Sequence, residues 1–241
     1  MPEQRADDRH IRLRLLGRWQ LDDCPGSEAL GDTARRLIAL LALRGAMTRP
    51  QLAGTLWPDA DESAAGARLR TVLWRFGPAR ALLEEADGTL ALGSGVSIDV
   101  NQLRAGALAL DLELALGDPP VVDDQVGVGT FEFDLLPGWY DDWLIIDRER
   151  IRQLRLHALE ALATRRLRDG HYAAALDAAL AAVRADPLRE SAHRCVICAH
   201  AAEGNIAEAL RQYERCREIL ATELNIAPSA SLLALLPAPL S

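Results

Sequence analysis

Residues 63–80, SAAGARLRTVLWRFGPAR, contain four arginines and no acidic residue, although the whole chain has a formal charge of -8. A guanidinium group binds phosphates and carboxylates through two parallel hydrogen bonds, and it binds the O6 and N7 atoms of guanine in the same way. Positive charge without nearby acids therefore favours an anionic partner such as duplex DNA. An ordinary solvated arginine face is the alternative interpretation.

Helical periodicity divides this segment into two faces. At about 100° per residue, Val72, Leu73 and Phe76 fall on the same face as Leu69, which is the spacing of a ridge packed against a core. The opposite face collects the side chains that we predict to face DNA bases: Arg68, Arg70, Thr71, Trp74 and Arg75. For Trp74, a half-buried packing role stays equally open.

Three further residues are predicted to contact DNA phosphates: Thr48, Arg49 and Arg80. Phosphate contacts fix the register of a protein on the duplex without reading its sequence. A helix of about 14 residues is roughly 21 Å long and 10–12 Å wide, which the major groove, about 12 Å wide, accepts. The dimensions of the arginine-rich helix therefore suit groove insertion.

The elements that precede this helix have clear local signals. Alternating apolar and polar residues over 11–22 predict short half-buried strands. A first helix is expected from Thr33, with Gly45 as its stop. A second helix begins at Thr48, where Gln51 three positions later completes a capping-box pattern. The arginine-rich helix, predicted over 63–76, is the third.

A tight turn at Asp87-Gly88 joins two short apolar stretches after the third helix and predicts a β-hairpin. Strands, three helices and a hairpin therefore follow one another in this order. We predict an α+β chain with a polar tail at 1–10, a mixed domain at 11–100, which the resemblance given below identifies as a winged helix-turn-helix, and an all-α, tetratricopeptide-like domain at 101–236. A loop at 117–136 interrupts the helical domain.

The tetratricopeptide-like prediction depends on an internal repeat. Gly170 and Gly204 are 34 positions apart, and the stretches GHYAAALDAA and GNIAEALRQY that follow them align without a gap. Thirty-four residues is the tetratricopeptide period, in which each repeat is a pair of antiparallel helices. With two copies, helical hairpins are better supported than membership of a repeat family.

The sequence carries few signs of catalysis. All 27 basic residues are arginine, so a phosphate-loop lysine and a Schiff-base lysine are both excluded. We predict no enzymatic activity, no cofactor and no metal, and a cytoplasmic location because no apolar run approaches the length of a membrane span. The stretch HRCVICAH places two histidines and two cysteines on opposite sides of a helix, which favours packing over metal binding: His193, His200, Cys195 and Cys198.

A charged stretch at 141–155 is interpreted as structural. Four acids near a helix start complement the helix dipole: Asp141, Asp142, Asp147 and Glu149. Four arginines alternate with acids and are expected to form a solvated, ion-paired face: Arg148, Arg150, Arg152 and Arg155. A hydrolytic carboxylate pair would need a partner cleft, of which the sequence gives no sign.

Three C-terminal stretches, LLPGWYDDWLIIDRERIRQLRLHALEALA (135–163), ADPLRESAHR (185–194) and EALRQYERCREILATELNIAPSASLLALL (208–236), resemble the bacterial transcriptional activator domain. The N-terminal half resembles a winged helix of response-regulator type. From about 11 to 236 the chain resembles the SARP family of actinobacterial pathway-specific regulators. The resemblance implies an activator whose third helix reads promoter direct repeats and whose helical domain supports homodimerisation and helps to recruit RNA polymerase.

The distribution of charge along the chain supports an alternative function for the same fold. Residues 1–100 hold 13 arginines and 14 acids, whereas residues 101–241 hold 14 arginines and 21 acids. DNA-binding domains usually carry a clear basic excess. The alternative is therefore a helical protein-interaction module whose winged helix no longer binds DNA.

Overall fold

The structure, a computed structural model, describes residues 11–116 and 127–236. It divides into two compact units, one of Met1–Gln102 and Asp134–Ile151 and the other of Leu103–Phe133 and Arg152–Ser241. The predicted tail at 1–10 and residues 117–126 of the predicted loop lie outside the described residues. The structure adds Asp134–Ile151 to the N-terminal unit, which the sequence did not predict; the predicted domain boundaries stay predictions.

Six strands and three helices come first along the chain: β1 (Ile11–Arg14), β2 (Gln20–Asp22), α1 (Asp32–Arg44), β3 (Met47–Thr48), α2 (Arg49–Leu56), α3 (Glu62–Arg75), β4 (Leu83–Ala86), β5 (Thr89–Leu92) and β6 (Val96–Ile98). Six helices follow: α4 (Asp99–Leu116), α5 (Leu144–Arg168), α6 (Tyr172–Ala185), α7 (Glu190–Ala202), α8 (Ile206–Leu224) and α9 (Ala230–Leu233). A short 3-10 helix, Val128–Phe131, lies within the predicted loop. This mixed unit followed by helices confirms the predicted fold class.

Two three-stranded sheets frame the helices of the N-terminal unit. In the first, β1 lies between antiparallel β2 and parallel β6, with Leu13 opposite Leu21 and Ile98. In the second, β5 lies between β3 and β4. The hairpin turn places Asp87 and Gly88 at φ angles of 51° and 73°, the two positive values that a type I′ turn requires. The predicted hairpin is thereby confirmed.

The local signals for α1 and α2 act as expected. Gly45 ends α1 with a φ angle of 78°, which a residue without a side chain adopts at low cost. Thr48 caps α2: its hydroxyl oxygen accepts from the Gln51 amide, and its own amide donates to Gln51 Oε1 at 2.9 Å. The capping box predicted from the sequence is present.

Backbone pairing attaches residues 134–136 to the segment between β1 and β2. Leu16 and Leu135 form an isolated antiparallel bridge, and the Gly17 amide donates to the Asp134 carbonyl at 2.8 Å. Two ion pairs extend this attachment to α1: Arg36 with Asp141 and Arg44 with Asp147, each at 3.1 Å. Asp141 and Asp147 therefore attach the start of α5 and the turn before it to α1, in addition to complementing the α5 dipole.

The solvated-face interpretation of the arginines in α5 is wrong for two of them. Arg148 donates to three backbone carbonyls at 2.8–3.1 Å, those of Leu135, Leu136 and Trp139. Arg155 is buried and donates to the carbonyls of Phe131 and Glu132 at 2.8 and 2.7 Å. Loop carbonyls without strand partners need donors, and the five N–H groups of arginine supply them.

The C-terminal helices form the predicted hairpins. Gly170 and Gly204 have φ angles of 74° and 85°, and each precedes the start of a helix, α6 or α8, by two residues. The residue after each glycine donates to a carbonyl five positions back at 2.8 Å, from His171 to Arg166 and from Asn205 to His200. This is the Schellman pattern of helix termination, repeated 34 residues apart.

Side chains in these hairpins pack as the sequence indicates. His193 is fully buried, and its ring nitrogens contact the Pro187 carbonyl and the Gln212 amide, both at 2.8 Å. All four cysteines are free thiols. Burial raises the pKa of Cys195 to about 12 and that of Cys216 to about 11, which keeps both as unreactive thiols.

Asp99, the first residue of α4, accepts hydrogen bonds from the backbone that directly follows β1. Its carboxylate accepts the amides of Leu15 and Leu16 at 2.9–3.0 Å and that of Val100 at 2.8 Å. Burial raises the pKa of this carboxyl above its usual value, although the three hydrogen bonds act in the opposite direction. The hydrogen bonds to three backbone amides thus offset the cost of removing the Asp99 carboxylate from water.

Replacing Asp99 with alanine should destabilise the protein by about 3 kcal/mol, because three partly buried amides lose their acceptor. Asp99→Asn keeps one acceptor oxygen and should cost about 1 kcal/mol. Urea denaturation followed by circular dichroism measures both values. Equal losses for the two variants would contradict the proposed role of the carboxylate as an acceptor.

Candidate nucleic-acid interface

Helix α3 presents two chemically distinct faces. Leu69, Leu73 and Phe76 are buried, with Leu69 only 2% exposed. The five side chains predicted to face bases are all exposed: Arg68, Arg70, Thr71, Trp74 and Arg75. The predicted division of the helix is therefore confirmed, while the assignment of these residues to bases stays a prediction.

Local sequence explains where α3 begins and ends. Asp61 is its N-cap and accepts the Ala64 amide at 2.8 Å, and Glu62 in the first turn complements the helix dipole. After Arg75 the chain reaches Gly77, with a φ angle of 51°, and then Pro78, which lacks an amide to continue the helix. The basic residues consequently occupy the middle and the C-terminal end of the helix.

The arginines on the exposed face have no protein partner in the described part of the chain. Arg68, Arg70 and Arg75 make no hydrogen bond or ion pair with any residue in 11–116 or 127–236. Asp61, the N-cap, and Glu62, in the first turn, are the acids of α3 itself, and both precede the three arginines. All three guanidinium groups are thus available to an external acceptor.

The two uncharged members of the face are also exposed. Trp74 is 80% exposed, so the half-buried packing role is wrong. The Thr71 hydroxyl donates to the Ala67 carbonyl at 3.1 Å, which fixes the side chain on the helix surface and leaves its oxygen able to accept another hydrogen bond. A large indole exposed among arginines serves no packing purpose within the described structure.

The residues predicted to contact phosphates are engaged with other protein groups. Arg49 donates from Nε and from a terminal nitrogen to the two oxygens of Glu85, both at 3.1 Å, and Arg80 donates to the same carboxylate at 3.3 Å. Thr48 uses its hydroxyl in the capping box, where it donates to Gln51 Oε1 at 3.0 Å. The structure therefore brings Arg49 and Arg80 together, but both bind the Glu85 carboxylate instead of being free for a phosphate.

Sequence reasoning missed Glu85, because it lies 36 positions from Arg49 and only the folded hairpin brings the two together. The hairpin carries three acids in total, Glu84, Glu85 and Asp87. A cleft of ~860 Å³ between α2 and α3 also has Asp61 and Glu62 on its wall, beside Arg49 and Arg70. The exposed face of α3 thus carries positive charge without a described counterion, whereas Arg49 and Arg80 are paired with Glu85.

Other kinds of site have little support in the described residues. Within 11–116 and 127–236, no three histidine, cysteine or acidic side chains are arranged to hold a metal ion. No helix in those ranges is both long and apolar enough to cross a bilayer.

The two faces of α3 should respond oppositely to truncation. Leu69→Ala removes a buried side chain and should destabilise the protein by about 2–5 kcal/mol. Arg70→Ala, on the exposed face, should change stability by less than about 0.5 kcal/mol. Thermal unfolding of both variants tests the orientation of the helix, and a large loss for Arg70→Ala would contradict it.

Comparisons with known proteins agree with this architecture. Residues 125–238 match the family described as "Bacterial transcriptional activator domain". The chain is 28% identical to the regulatory protein AfsR of Streptomyces coelicolor over 240 residues, covering 96% of this chain and 24% of that protein. It is also 28% identical to AfsR of Streptomyces griseus, covering 96% and 25%. The chain thus spans about a quarter of the length of these relatives.

A solved structure supports the fold. The structure of Mycobacterium tuberculosis EmbR in complex with a low affinity phosphopeptide superposes with a TM-score of 0.60 at 20% sequence identity, covering 94% of this chain and 64% of that one. At this identity the likeness concerns the fold alone. The activator-domain match and the AfsR relatives bear out the predicted resemblance to the SARP family of transcriptional regulators.

Proposed function

We propose that this protein is a transcriptional activator that binds promoter DNA through α3 and acts by binding, without catalysis. The observation that carries the proposal is the exposed face of α3, on which three guanidinium groups lack any described protein partner. A buried ridge on the other side of the helix holds this face toward solvent. The match of residues 125–238 to the bacterial transcriptional activator domain supports the same role.

The proposed base contacts follow from side-chain chemistry. Arg68, Arg70 and Arg75 can each form two hydrogen bonds with guanine O6 and N7, and each such pair discriminates by about 1–3 kcal/mol. The Thr71 methyl group and the Trp74 ring edge suit the apolar methyl of thymine. With 14 residues, α3 is long enough to reach several base pairs in one major groove.

The proposed phosphate contacts require Arg49 and Arg80 to leave Glu85. The Arg49–Glu85 pair is about two-fifths exposed on both sides, and exposed ion pairs typically contribute about 0–1 kcal/mol, more where the arginine is bidentate. A DNA phosphate offers Arg49 the same bidentate geometry and can therefore replace the carboxylate. Thr48 caps the N-terminus of α2 and would contact a phosphate there, since the free backbone amides of a helix N-terminus attract anions.

The remaining partners are proposed from the family alone. We place the protein in the cytoplasm, as a homodimer on promoter direct repeats, with the domain at 125–238 helping to recruit RNA polymerase. Direct repeats suit two copies bound in the same orientation, one on each repeat. Footprinting on genomic fragments would reveal the sites and their spacing.

A salt titration separates this proposal from the interaction-module alternative. If four to six phosphates are neutralised, log affinity for random duplex should fall against log salt with a slope of roughly -4 to -5. Fluorescence anisotropy of a labelled duplex between roughly 50 and 300 mM NaCl measures it. Absence of association at the lowest salt would favour a protein-interaction role for the winged helix.

Arg70→Ala should relax base preference at one position of the selected site and weaken binding to the preferred sequence by about 1–3 kcal/mol. Selection from a random duplex library measures the base preference, and fluorescence anisotropy with the selected duplexes measures the affinity. Arg215→Ala, an exposed arginine on α8, is the control and should leave binding unchanged. Uniform weakening across all sequences would reassign Arg70 to a phosphate contact.

Glu85→Gln should strengthen DNA binding severalfold, because the neutral amide releases Arg49 and Arg80 to phosphates. The salt slope should steepen by about 1–2, corresponding to one or two additional phosphate contacts. Glu84→Gln removes the same charge from the neighbouring position, where the carboxylate accepts only the Ser94 amide in the described structure. Equal gains in the two variants would show a general charge effect and contradict the proposed competition at Glu85.

A further inference from the structure

A second cleft, of ~570 Å³, lies within the N-terminal unit and shares no lining residue with α3. Its wall is formed by the β1–β2 turn, the start of α1 and the turn before α5. Six of its side chains matter for binding: Arg18, Trp19, Arg35, Arg36, Trp139 and Tyr140. We propose that this cleft binds a small aromatic carboxylate, a planar ring bearing a single negative charge.

The charge of the cleft favours a monoanion. Three arginines line it against two aspartates, Asp32 and Asp141, so one positive charge is left uncompensated. Arg36 is occupied, because it pairs with Asp141 at 3.1 Å. Arg35 is only loosely held, at 4.0 Å from an Asp32 carboxylate that is 88% exposed. A singly charged carboxylate neutralises the cleft, whereas a doubly charged phosphate would leave it negative.

Arg18 is the arginine of the cleft whose positive charge is left unpaired. It is exposed, and it makes no hydrogen bond or ion pair with any residue in the described ranges. A free guanidinium group can bind both oxygens of a carboxylate, and a second, loosely paired guanidinium group lines the same cleft. Arg18 and Arg35 are therefore the proposed carboxylate ligands.

Two polar atoms in the cleft wall lack partners. Trp19 Nε1 and Arg35 Nε are buried with no hydrogen bond to the described residues, although such groups are normally satisfied. Both atoms are hydrogen-bond donors, so what is missing is an acceptor. The guanidinium of Arg35 lies over the Trp19 ring, 5.1 Å from its centre, and a modest rotation of this partly exposed side chain would turn its donors toward a bound oxygen.

Aromatic side chains that line the same cleft suit a planar ring. Tyr140 is 91% exposed, and Trp139 next to it is partly exposed. An aromatic ring stacked on such a surface gains about 0.5–1.5 kcal/mol beyond the area that it buries. A cleft of ~570 Å³ lies within the size range of small-molecule sites, roughly 300–1,000 Å³.

The cleft is formed in advance by a fixed backbone. Gly17 and Gly138 line it at φ angles of 78° and 82°, and Leu136 beside them is fully buried at 43°, an angle rarely adopted by a leucine. The Leu136 amide donates to the Leu15 carbonyl at 2.8 Å, which holds this conformation. A preformed wall reduces the entropy that a ligand must lose on binding.

Isothermal titration calorimetry of the full chain with 2-naphthoate tests the proposal. We expect saturable binding at one site, with 2-naphthamide, which lacks the charge, and cyclohexanecarboxylate, which lacks the aromatic ring, each binding at least roughly tenfold more weakly. Arg18→Gln should weaken binding of 2-naphthoate by roughly tenfold, and Tyr140→Ala severalfold. Both side chains are exposed, so thermal unfolding should be unchanged.

Arg215→Gln is the control, since it removes an exposed arginine from the other unit and should leave the affinity unchanged. Absence of saturable heat, equal binding of the amide, or unchanged affinity in both Arg18→Gln and Tyr140→Ala would each overturn the proposal. Tighter binding of inorganic phosphate than of 2-naphthoate would overturn it as well. Because no DNA is present, the result is independent of whether α3 binds a duplex.

Discussion

Packing of the aliphatic ridge of α3 is the constraint on which the proposed DNA-binding surface depends. Leu69, Leu73 and Phe76 can be removed from water together only if the helix lies in one rotational setting, and a rotation of half a turn would bury guanidinium groups at a cost of several kcal/mol each. The exposure of Arg70 and Trp74 is thus a consequence of apolar burial. The core fixes which residues a partner can meet.

The positions of the acidic side chains decide which arginines of the N-terminal unit are neutralised. Glu85 holds Arg49 and Arg80 at the edge of the hairpin, whereas the arginines on the exposed face of α3 make no ion pair with a described acid. A nearly neutral domain can therefore present a locally basic helix. Net charge influences long-range attraction to DNA, but a base contact depends on the charges within a few ångströms.

Residues 134–151 show how a loop can become part of a domain that precedes it. Arg148 satisfies three carbonyls of this segment, and the ion pairs to Asp141 and Asp147 attach it to α1. The same turn supplies Trp139 and Tyr140 to the arginine-lined cleft. Structural attachment and a candidate ligand site thus arise from one set of contacts.

The sequence by itself determined the features that depend on near neighbours: the capping box at Thr48, the hairpin turn at Asp87-Gly88, the two faces of α3 and the glycine terminations 34 residues apart. Periodicity and backbone preference act over a few residues, so they are readable without a fold. Only the tertiary structure decided the parallel pairing of β6 with β1, the burial of Arg155 and the capture of two arginines by Glu85. Apart from the Arg80–Glu85 contact, those contacts join residues 23 to 85 positions apart, where loop closure and competing partners leave no local signal.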